Sequence, residues 1–222
     1  FKKGEFKNFK INNEDIDYVN ETTKLDSKYL FNIGQKILIK KNLLSDVRFN
    51  TAYYESKLIF STSTIALAIH RYGFEPKFVL SILSSRYCFH NFFLNNEKEN
   101  DETRTLTISE IKSLEIPVIP LEQQQPFVTI VNYILNCNAN QDALLFFERL
   151  LDAMVYELYF PNLFKVSGIE ILSFLKDLPK IESDMYDFSI DNIYKNLSRP
   201  ENDLNLSLLK ILNLTEINNI EN

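Results

Sequence analysis

The stretch Lys36-Ile37-Leu38-Ile39-Lys40-Lys41 is a short aliphatic and β-branched run that ends in two cations. A run of this length between polar segments is typical of a β-strand. Two further β-rich runs follow, at Lys57 to Phe60 and at Thr64 to His70, with Ser61-Thr62-Ser63 between them. We therefore expect a small β-sheet with polar, hydroxyl-rich connections.

After these runs, between Glu75 and Asn95, the hydrophobic period becomes that of a helix. Apolar side chains recur at steps of three, four and seven, at Phe78, Val79, Ile82, Leu83, Phe89, Phe92 and Phe93. This spacing predicts one face of an amphipathic helix, and Pro76 suits its first turn. Ser109 is expected to cap a short helix from Glu110 to Glu115, without a full capping box because Lys112 occupies the third position.

The longest periodic signal runs from Phe127 to Leu158 and keeps a heptad register over 32 residues. An unbroken helix of that length would extend for about 48 Å. Residues 136–140 are poor helix formers, so two stacked helices remain an alternative, and Pro126 can delay or kink the start. Beyond Gly168 we expect short helices at Ile169 to Leu175 and Leu204 to Leu212, around an Asp/Ser-rich connection.

The net charge of −6 is distributed unevenly along the chain. Residues 1–104 hold 16 Lys/Arg and 13 Asp/Glu, a net +3, whereas residues 105–222 hold 8 and 17, a net −9. Residues 24–95 alone carry +6. A basic first half joined to an acidic second half suggests an anionic partner for the first half only. Charge scatter over ordinary surfaces is the alternative.

Catalytic signatures are missing from the sequence. It has no Gly-rich loop after a strand, no serine nucleophile elbow, and no CxxC or HxxxH pair. We expect Cys88 and Cys137 to be reduced core thiols, and His70 and His90 to be structural imidazoles. We therefore predict no catalytic residue, metal site or cofactor site in this segment.

The sequence also bears on where the chain is found. Its apolar runs fall far short of the eighteen or so residues that span a membrane. No secretory signal opens it, so we expect a cytoplasmic protein with no membrane partner. Because the chain starts at Phe1 without a capping or strand-initiating signal, we expect a piece of a longer polypeptide.

The cations at the end of the first strand, with the segment after it, give a candidate DNA contact. Adjacent strand residues point to opposite faces, so one lysine can meet a phosphate. In the expected loop after the strand, Arg can read guanine, Asn can read adenine, and Thr and Tyr can contact sugar-phosphate. An ordinary polar loop is the alternative. We call this set the predicted strip; its members are Lys40, Lys41, Arg48, Asn50, Thr51, Tyr53 and Tyr54.

Three stretches carry a resemblance to a known family. Gly34 to Lys41, with Leu67 to Asn95, gives a strand with a basic end, then a later strand and helix. Leu114 to Gln124 reads LEIPVIPLEQQ, close to the family pattern l-x-IP-x-x-PL-x-EQ, and Leu151 to Phe160 reads LDAMVYELYF, like iDalVYeLY. The chain thereby resembles the TaqI-like C-terminal specificity (target recognition) domain of adenine-N6 DNA methyltransferases and type IIG restriction–modification enzymes. It is also similar to half of a type I restriction specificity subunit.

The resemblance covers roughly residues 1–165 and implies an α/β fold. A small mixed β-sheet with flanking helices would form a DNA target-recognition domain at residues 1–120. Residues 121–165 would be a long helical spacer with a dimer-like packing surface, and residues 166–222 a helical C-terminal extension.

The function implied is sequence-specific recognition of double-stranded DNA. An N-terminal methyltransferase or nuclease portion of the same polypeptide would then methylate adenine, cleave, or do both. That portion would use S-adenosylmethionine and, for cleavage, Mg²⁺; its Asn-Pro-Pro-Tyr/Phe motif is absent here. A helical protein–protein interaction module without DNA contact is the alternative. An independent small enzyme is disfavoured by the missing motifs.

Overall fold

A computed structural model describes most of the chain and divides it into two compact units. The first unit comprises residues 1–84 and 88–116, and the second comprises residues 85–87 and 117–222. The strand expected at Lys57 to Phe60 lies outside the described residues. The described ranges are 6–7, 9–11, 34–43, 47–55, 63–95, 104–137, 140–180 and 186–221.

The first unit contains a three-stranded β-sheet and a separate two-stranded one. Its strands are β1 (Phe6–Lys7), β2 (Lys10–Ile11), β3 (Lys36–Lys40), β4 (Thr51–Tyr54) and β5 (Thr64–Leu67). β3 is central in the order β4-β3-β5 and pairs antiparallel with both neighbours, while β1 and β2 pair with each other. A parallel bridge joins Phe9 to Ala52 in β4. The predicted fold class, a small sheet with flanking helices and long C-terminal helices, is confirmed.

β3 is buried on both of its faces. Ile37, Leu38 and Ile39 are at most 1% exposed, although successive side chains point in opposite directions. A continuous apolar run, with no polar alternation, is the pattern of a strand covered on both sides. The first helix, α1 (Pro76–Leu83), packs against β3 and β4.

The single amphipathic helix expected after Glu75 is two helices, so that prediction was wrong at Ser84 and Ser85. α1 ends at Leu83 and α2 (Arg86–Asn95) begins three residues later. The Ser84 hydroxyl donates to the Leu80 carbonyl at 2.7 Å. A serine that bonds the backbone of the preceding turn favours the end of a helix over its continuation.

The short helix α3 (Ile108–Ser113) begins at a cap other than the predicted Ser109. Thr107 is the N-cap, and its side chain accepts a hydrogen bond from the Glu110 N–H at 3.3 Å. The Glu110 carboxylate accepts from the Thr107 N–H in return, at 2.8 Å. This reciprocal pair is a full capping box, which satisfies two backbone donors at once. The prediction missed it because Ser109 lies two residues too late.

The second unit is entirely helical in the part that the structure describes. The helices are α4 (Leu121–Asn136), α5 (Gln141–Tyr159), α6 (Pro161–Val166), α7 (Ile171–Phe174), α8 (Tyr186–Leu197), α9 (Asp203–Ile211) and α10 (Thr215–Glu221). The heptad segment is therefore two stacked helices, the alternative left open by the sequence. Asn140 caps α5 by accepting from the Ala143 N–H at 3.0 Å. Pro126 lies inside α4, which begins five residues before it.

α4 and α5 form a hairpin around the core of this unit. Phe127, Ile130, Phe147 and Met154 are fully buried, and the rings of Tyr133 and Phe147 lie 5.2 Å apart in an edge-to-face contact. The connection of four residues between the helices is typical of antiparallel neighbours. The heptad positions are thus used inside the unit.

The segment after Gly168 was expected to contain an Asp/Ser-rich connection, but α8 occupies part of it. Ile190 of α8 is 1% exposed, and the ring of Tyr194 contacts that of Phe146 in α5 at 5.6 Å. Asp191 accepts a hydrogen bond from the Asn140 side chain at 2.9 Å. Tertiary packing therefore stabilises a helix that its local polarity does not predict.

The end of the chain is fastened to α5 by a buried polar cluster. Tyr156 donates its hydroxyl proton to the Glu221 carboxylate at 2.6 Å, and Arg86 Nη1 lies 3.1 Å from the same carboxylate. The Arg86 backbone N–H donates to Asp152 at 3.0 Å. Asp152 is only 2% exposed, and a buried carboxylate of this kind needs such polar contacts.

The capping box generates a stability prediction. Replacing Thr107 with Ala should lower the free energy of unfolding by about 1 kcal/mol, because the Glu110 N–H loses its acceptor. Urea denaturation of the full chain, followed by circular dichroism, measures the change. Ser109→Ala is the matched control and should have a much smaller effect, and equal effects of the two changes would contradict the assignment.

The same experiment has a pH dependence. Burial alone would raise the pKa of Glu110, but the hydrogen bonds from Thr107 and the Arg104 guanidinium lower it below the usual value. A carboxyl with a lowered pKa stabilises the fold above its ordinary pKa and loses this effect as the pH falls. The difference in the free energy of unfolding between the wild type and Thr107→Ala should therefore become smaller as the pH falls.

Candidate nucleic-acid interface

Part of the predicted strip is a buried strand, so the expectation of a loop from Arg48 to Tyr54 is corrected. Thr51 and Tyr53 belong to β4 and are 0% and 7% exposed. β4 pairs with β3 on one edge and with Phe9 on the other, where Phe9 N donates to Thr51 O at 2.8 Å. These two side chains therefore do not form a surface.

The polar groups of the two buried residues, Tyr53 and Thr51, have different surroundings. The Tyr53 ring lies beneath the Lys77 ammonium, 4.8 Å from the ring centroid. Burial, together with the nearby carboxylates of Glu55 and Glu75, raises the pKa of the Tyr53 phenol. Thr51 Oγ1 is buried without a hydrogen-bond partner, as is Oδ1 of Asn50.

Three members of the predicted strip, Lys40, Arg48 and Asn50, lie near one end of the β3–β4 ladder, whereas Lys41 is turned to β5. The Lys40 N–H donates to the Asn50 carbonyl at 2.9 Å, which places these two residues side by side. Lys40, Lys41, Arg48 and Asn50 are all partly exposed. Arg48 directs Nη1 to the Ser84 carbonyl at 3.2 Å.

Tyr54 lies at the opposite end of the ladder, where it pairs with Lys36. It lies four positions after Asn50 along the chain, a distance of about 14 Å in an extended strand. Lys36 is 1% exposed, and burial lowers its pKa. Tyr54 therefore does not belong to the same patch as Lys40 and Asn50.

The two adjacent lysines serve different neighbours. Lys40 N–H bonds to Asn50 beside β4, whereas Lys41 N–H donates to Ser63 O beside β5 at 2.9 Å. Lys41 also lines an apolar groove of about 780 Å³ next to β5. Of these two lysines, Lys40 is therefore the one that lies beside Asn50.

Sequence reasoning missed this groove and its cations. Arg71 and Lys112 are exposed at its border, and His70 also lines it. Arg71 and Lys112 lie far apart in the sequence, and no local pattern links them. Arg71 and Lys112 line the same groove because the fold places both of them near β5.

Side-chain groups that could hold a metal ion are not found among the described residues. In ranges 34–43, 47–55, 63–95, 104–137, 140–180 and 186–221, no group of three or more His, Cys, Asp or Glu side chains could hold a metal ion. Cys88 and Cys137 are buried and not disulfide-bonded, and burial raises the pKa of Cys88 to about 12. Cys88 is therefore a protonated thiol and a poor nucleophile at neutral pH. Over the same ranges, none of the helices is both long enough and apolar enough to cross a bilayer.

Comparison with known proteins adds no relatives to this picture. No protein-family model matches the chain, and no curated protein has a matching sequence.

The unpaired hydroxyl of Thr51 generates a prediction. Thr51→Val should raise the free energy of unfolding by about 1 kcal/mol, because it replaces a buried, unsatisfied hydroxyl with a methyl group of similar size. Thr51→Ser, which keeps the hydroxyl and loses the methyl, should lower it by about 1 kcal/mol. Urea unfolding of both variants is the measurement. A loss of stability in Thr51→Val would mean that the hydroxyl has a polar partner.

Proposed function

We propose that this chain is a target-recognition segment of a restriction–modification protein, which selects the duplex DNA site for an N-terminal catalytic part. The observation that supports it best is the backbone bond between Lys40 and Asn50, at 2.9 Å. It places a cation, which suits a phosphate, beside an amide, which suits an adenine edge. The motif resemblance is the basis for the family in this proposal, and the position of Lys40 beside Asn50 is the basis for the choice of residues.

Within this proposal the residues have different roles. Lys40 contacts a phosphate and fixes the position of the duplex. Asn50 reads a base edge, which requires rotation of a side chain whose Oδ1 is turned inward and unpaired. Such a rotation would give that buried acceptor a partner, which favours it. Arg48 is assigned to positioning the segment before β4, because it is fastened to the Ser84 carbonyl.

The motifs behind the resemblance occupy positions where they have structural roles. Pro117 and Pro120 hold an extended segment that leads into α4, with Pro120 as its N-cap residue. Gln124 is 0% exposed, and its Nε2 donates to the Ile119 carbonyl at 2.9 Å. The glutamine of this motif therefore closes the turn that starts the long helix.

The acidic net charge is compatible with this function. A recognition module grips one side of a duplex while the catalytic domain grips the other and flips the target adenine. Only one face then needs cations, and the isolated chain should bind DNA weakly and with strong salt dependence. S-adenosylmethionine and Mg²⁺ would belong to the catalytic part, and the whole protein would be cytoplasmic.

The alternative, a helical module that docks a partner through its heptad face, has less support. The heptad residues Phe127, Ile130, Phe147 and Met154 are fully buried within the second unit. That face is therefore already occupied by this chain's own helices.

The DNA proposal predicts a change in salt dependence. Lys40→Ala should weaken binding of a random-sequence duplex and reduce the slope of log K against log salt by about 0.9, the value for one lost phosphate contact. Fluorescence anisotropy between about 50 and 200 mM salt measures the slope. Lys210→Ala, an exposed lysine on α9, is the matched control and should leave the slope unchanged.

A companion experiment separates positioning from base recognition. In the full-length parent, Asn50→Ala should relax the choice of site while binding of S-adenosylmethionine is retained, because the amide contacts a base and not the cofactor. If Asn50→Ala leaves the choice of site unchanged, Asn50 does not contact a base. If Lys40→Ala leaves the salt slope unchanged, Lys40 does not contact a phosphate, and the proposed DNA surface is wrong.

A further inference from the structure

β5 is an edge strand of the sheet in the described part of the chain. The order β4-β3-β5 leaves β5 with β3 as its strand neighbour on one side. On its other side lies the groove of about 780 Å³. An edge strand presents a row of backbone donors and acceptors that can pair with another extended segment.

The register shows which backbone groups of β5 face this groove. Lys41 N donates to Ser63 O, so hydrogen-bonded pairs occur at 41 with 63 and then at every second position. Ile65 and Leu67 therefore direct their N–H and C=O groups to β3. Thr64 and Ala66, which lie between them, direct theirs away from β3.

The lining of the groove is consistent with an exposed backbone edge. All four residues of β5, Thr64 to Leu67, line it, together with the four residues that follow the strand. Side chains alternate between the faces of a strand, so a pocket against one face of β5 would be lined by every second residue of the strand. The other lining residues include six aliphatic ones: Val79, Leu83, Ile108, Ile111, Leu114 and Ile116. The groove thus combines the backbone of β5 with aliphatic side chains.

The described residues of this edge, 64–69, lack the charges and prolines that usually prevent pairing. Residues 64–69 read TIALAI, without a charge or a proline. Natural edge strands are commonly protected by lysine, proline, a bulge or a covering element. An uncharged aliphatic edge beside an apolar groove is suited to accept a strand.

The charges around the groove identify the chemistry of its occupant. Among the described residues that line it, the charged ones are Lys41, Arg71 and Lys112, with His70 as a further titratable group, and none of these described residues is Asp or Glu. Lys41 lies beside the start of β5, next to Ser63, and Arg71 follows its end. A second copy of this chain would bring its own cations against these. Charge complementarity therefore favours a different, acidic segment.

We propose that this groove binds an extended peptide of a partner protein, with aliphatic or β-branched residues at its centre and acidic residues at both ends. The peptide adds as a fourth strand along β5 and pairs with the outward backbone groups of Thr64 and Ala66. Its alternate side chains fill the apolar groove, and its acidic ends meet Lys41 and Arg71. The site differs from the proposed DNA contact, which uses Lys40 and Asn50 beside β4.

The test uses the full chain and a fluorescent synthetic peptide matched in length to residues 64–71, with β-branched residues at its centre and two aspartates at each end. Anisotropy titration should give saturable binding. A peptide with lysines in place of the aspartates should bind at least about tenfold more weakly, because like charges oppose at the border. A peptide N-methylated at alternate backbone nitrogens should also lose binding, because it cannot complete the ladder.

Protein variants test the same contacts from the other side. Ala66→Pro removes the outward N–H, and a proline is tolerated on an edge strand where its nitrogen faces away from the partner strand. Ala66→Pro should weaken binding of the acidic peptide by at least about tenfold. Ala66→Val keeps the N–H and should retain binding. Arg71→Glu combined with Lys112→Glu should reverse the preference for acidic ends, while Lys210→Glu should have no effect.

Several outcomes would overturn the proposal. Equal binding of the acidic and lysine peptides would exclude charge recognition, and undiminished binding of the N-methylated peptide would exclude strand addition without depending on any protein variant. Concentration-dependent dimers that Ala66→Pro abolishes would show that the occupant is a second copy. Stoichiometric displacement of the peptide by duplex DNA would identify the groove as a phosphate site. None of these outcomes changes the salt slope of Lys40→Ala, so the two proposals fail separately.

Discussion

Successive residues of β3 form backbone hydrogen bonds to opposite neighbours, alternately to the β4 side and to the β5 side. This alternation sets the layout of the first unit. The N–H of Lys40 bonds to Asn50 on the β4 side, and the N–H of Lys41 bonds to Ser63 on the β5 side. Ile37, Leu38 and Ile39 are fully buried between them. A shift of one residue would exchange the two sets of partners and the two faces. The register of one short strand therefore decides which lysine lies near which neighbour.

The strand at β3 could be predicted from the sequence because a continuous aliphatic run bounded by cations fits few other structures. β4 could not. Its residues Thr51 to Tyr54 look polar and suited to a loop, and their burial depends on pairing with β3 and Phe9, both distant in the sequence. Tertiary context often overrides the local preference of a strand. The candidate site changed for the same reason, since Thr51 and Tyr53 became core residues.

The helices follow the same division between local and distant causes. The heptad pattern predicted the buried faces of α4 and α5, and Asn140 marks the break between them with a cap at 3.0 Å. The cap at Thr107 was also encoded locally, by the Glu three residues later, but the adjacent Ser109 obscured it. α8 was not predicted because the Asp and Ser residues in its segment indicated a connection, although Ile190, Ile193 and Leu197 recur at helical spacing. In the fold it is stabilised by contacts such as that of Tyr194 with Phe146. Patterns within a few residues could be read, and contacts across the fold could not.

The alternation along β3 also explains why two adjacent lysines can serve two different functions. A cation that contacts a phosphate needs an amide beside it to read a base, and Lys40 has Asn50. A cation that attracts the acidic end of a peptide needs an open strand edge and an apolar groove, and Lys41 has both. Because the two N–H groups bond to opposite neighbours, neither lysine could exchange its role without a shift of the whole strand. One constraint on the backbone thus separates two proposed binding surfaces that the sequence presents as a single basic pair.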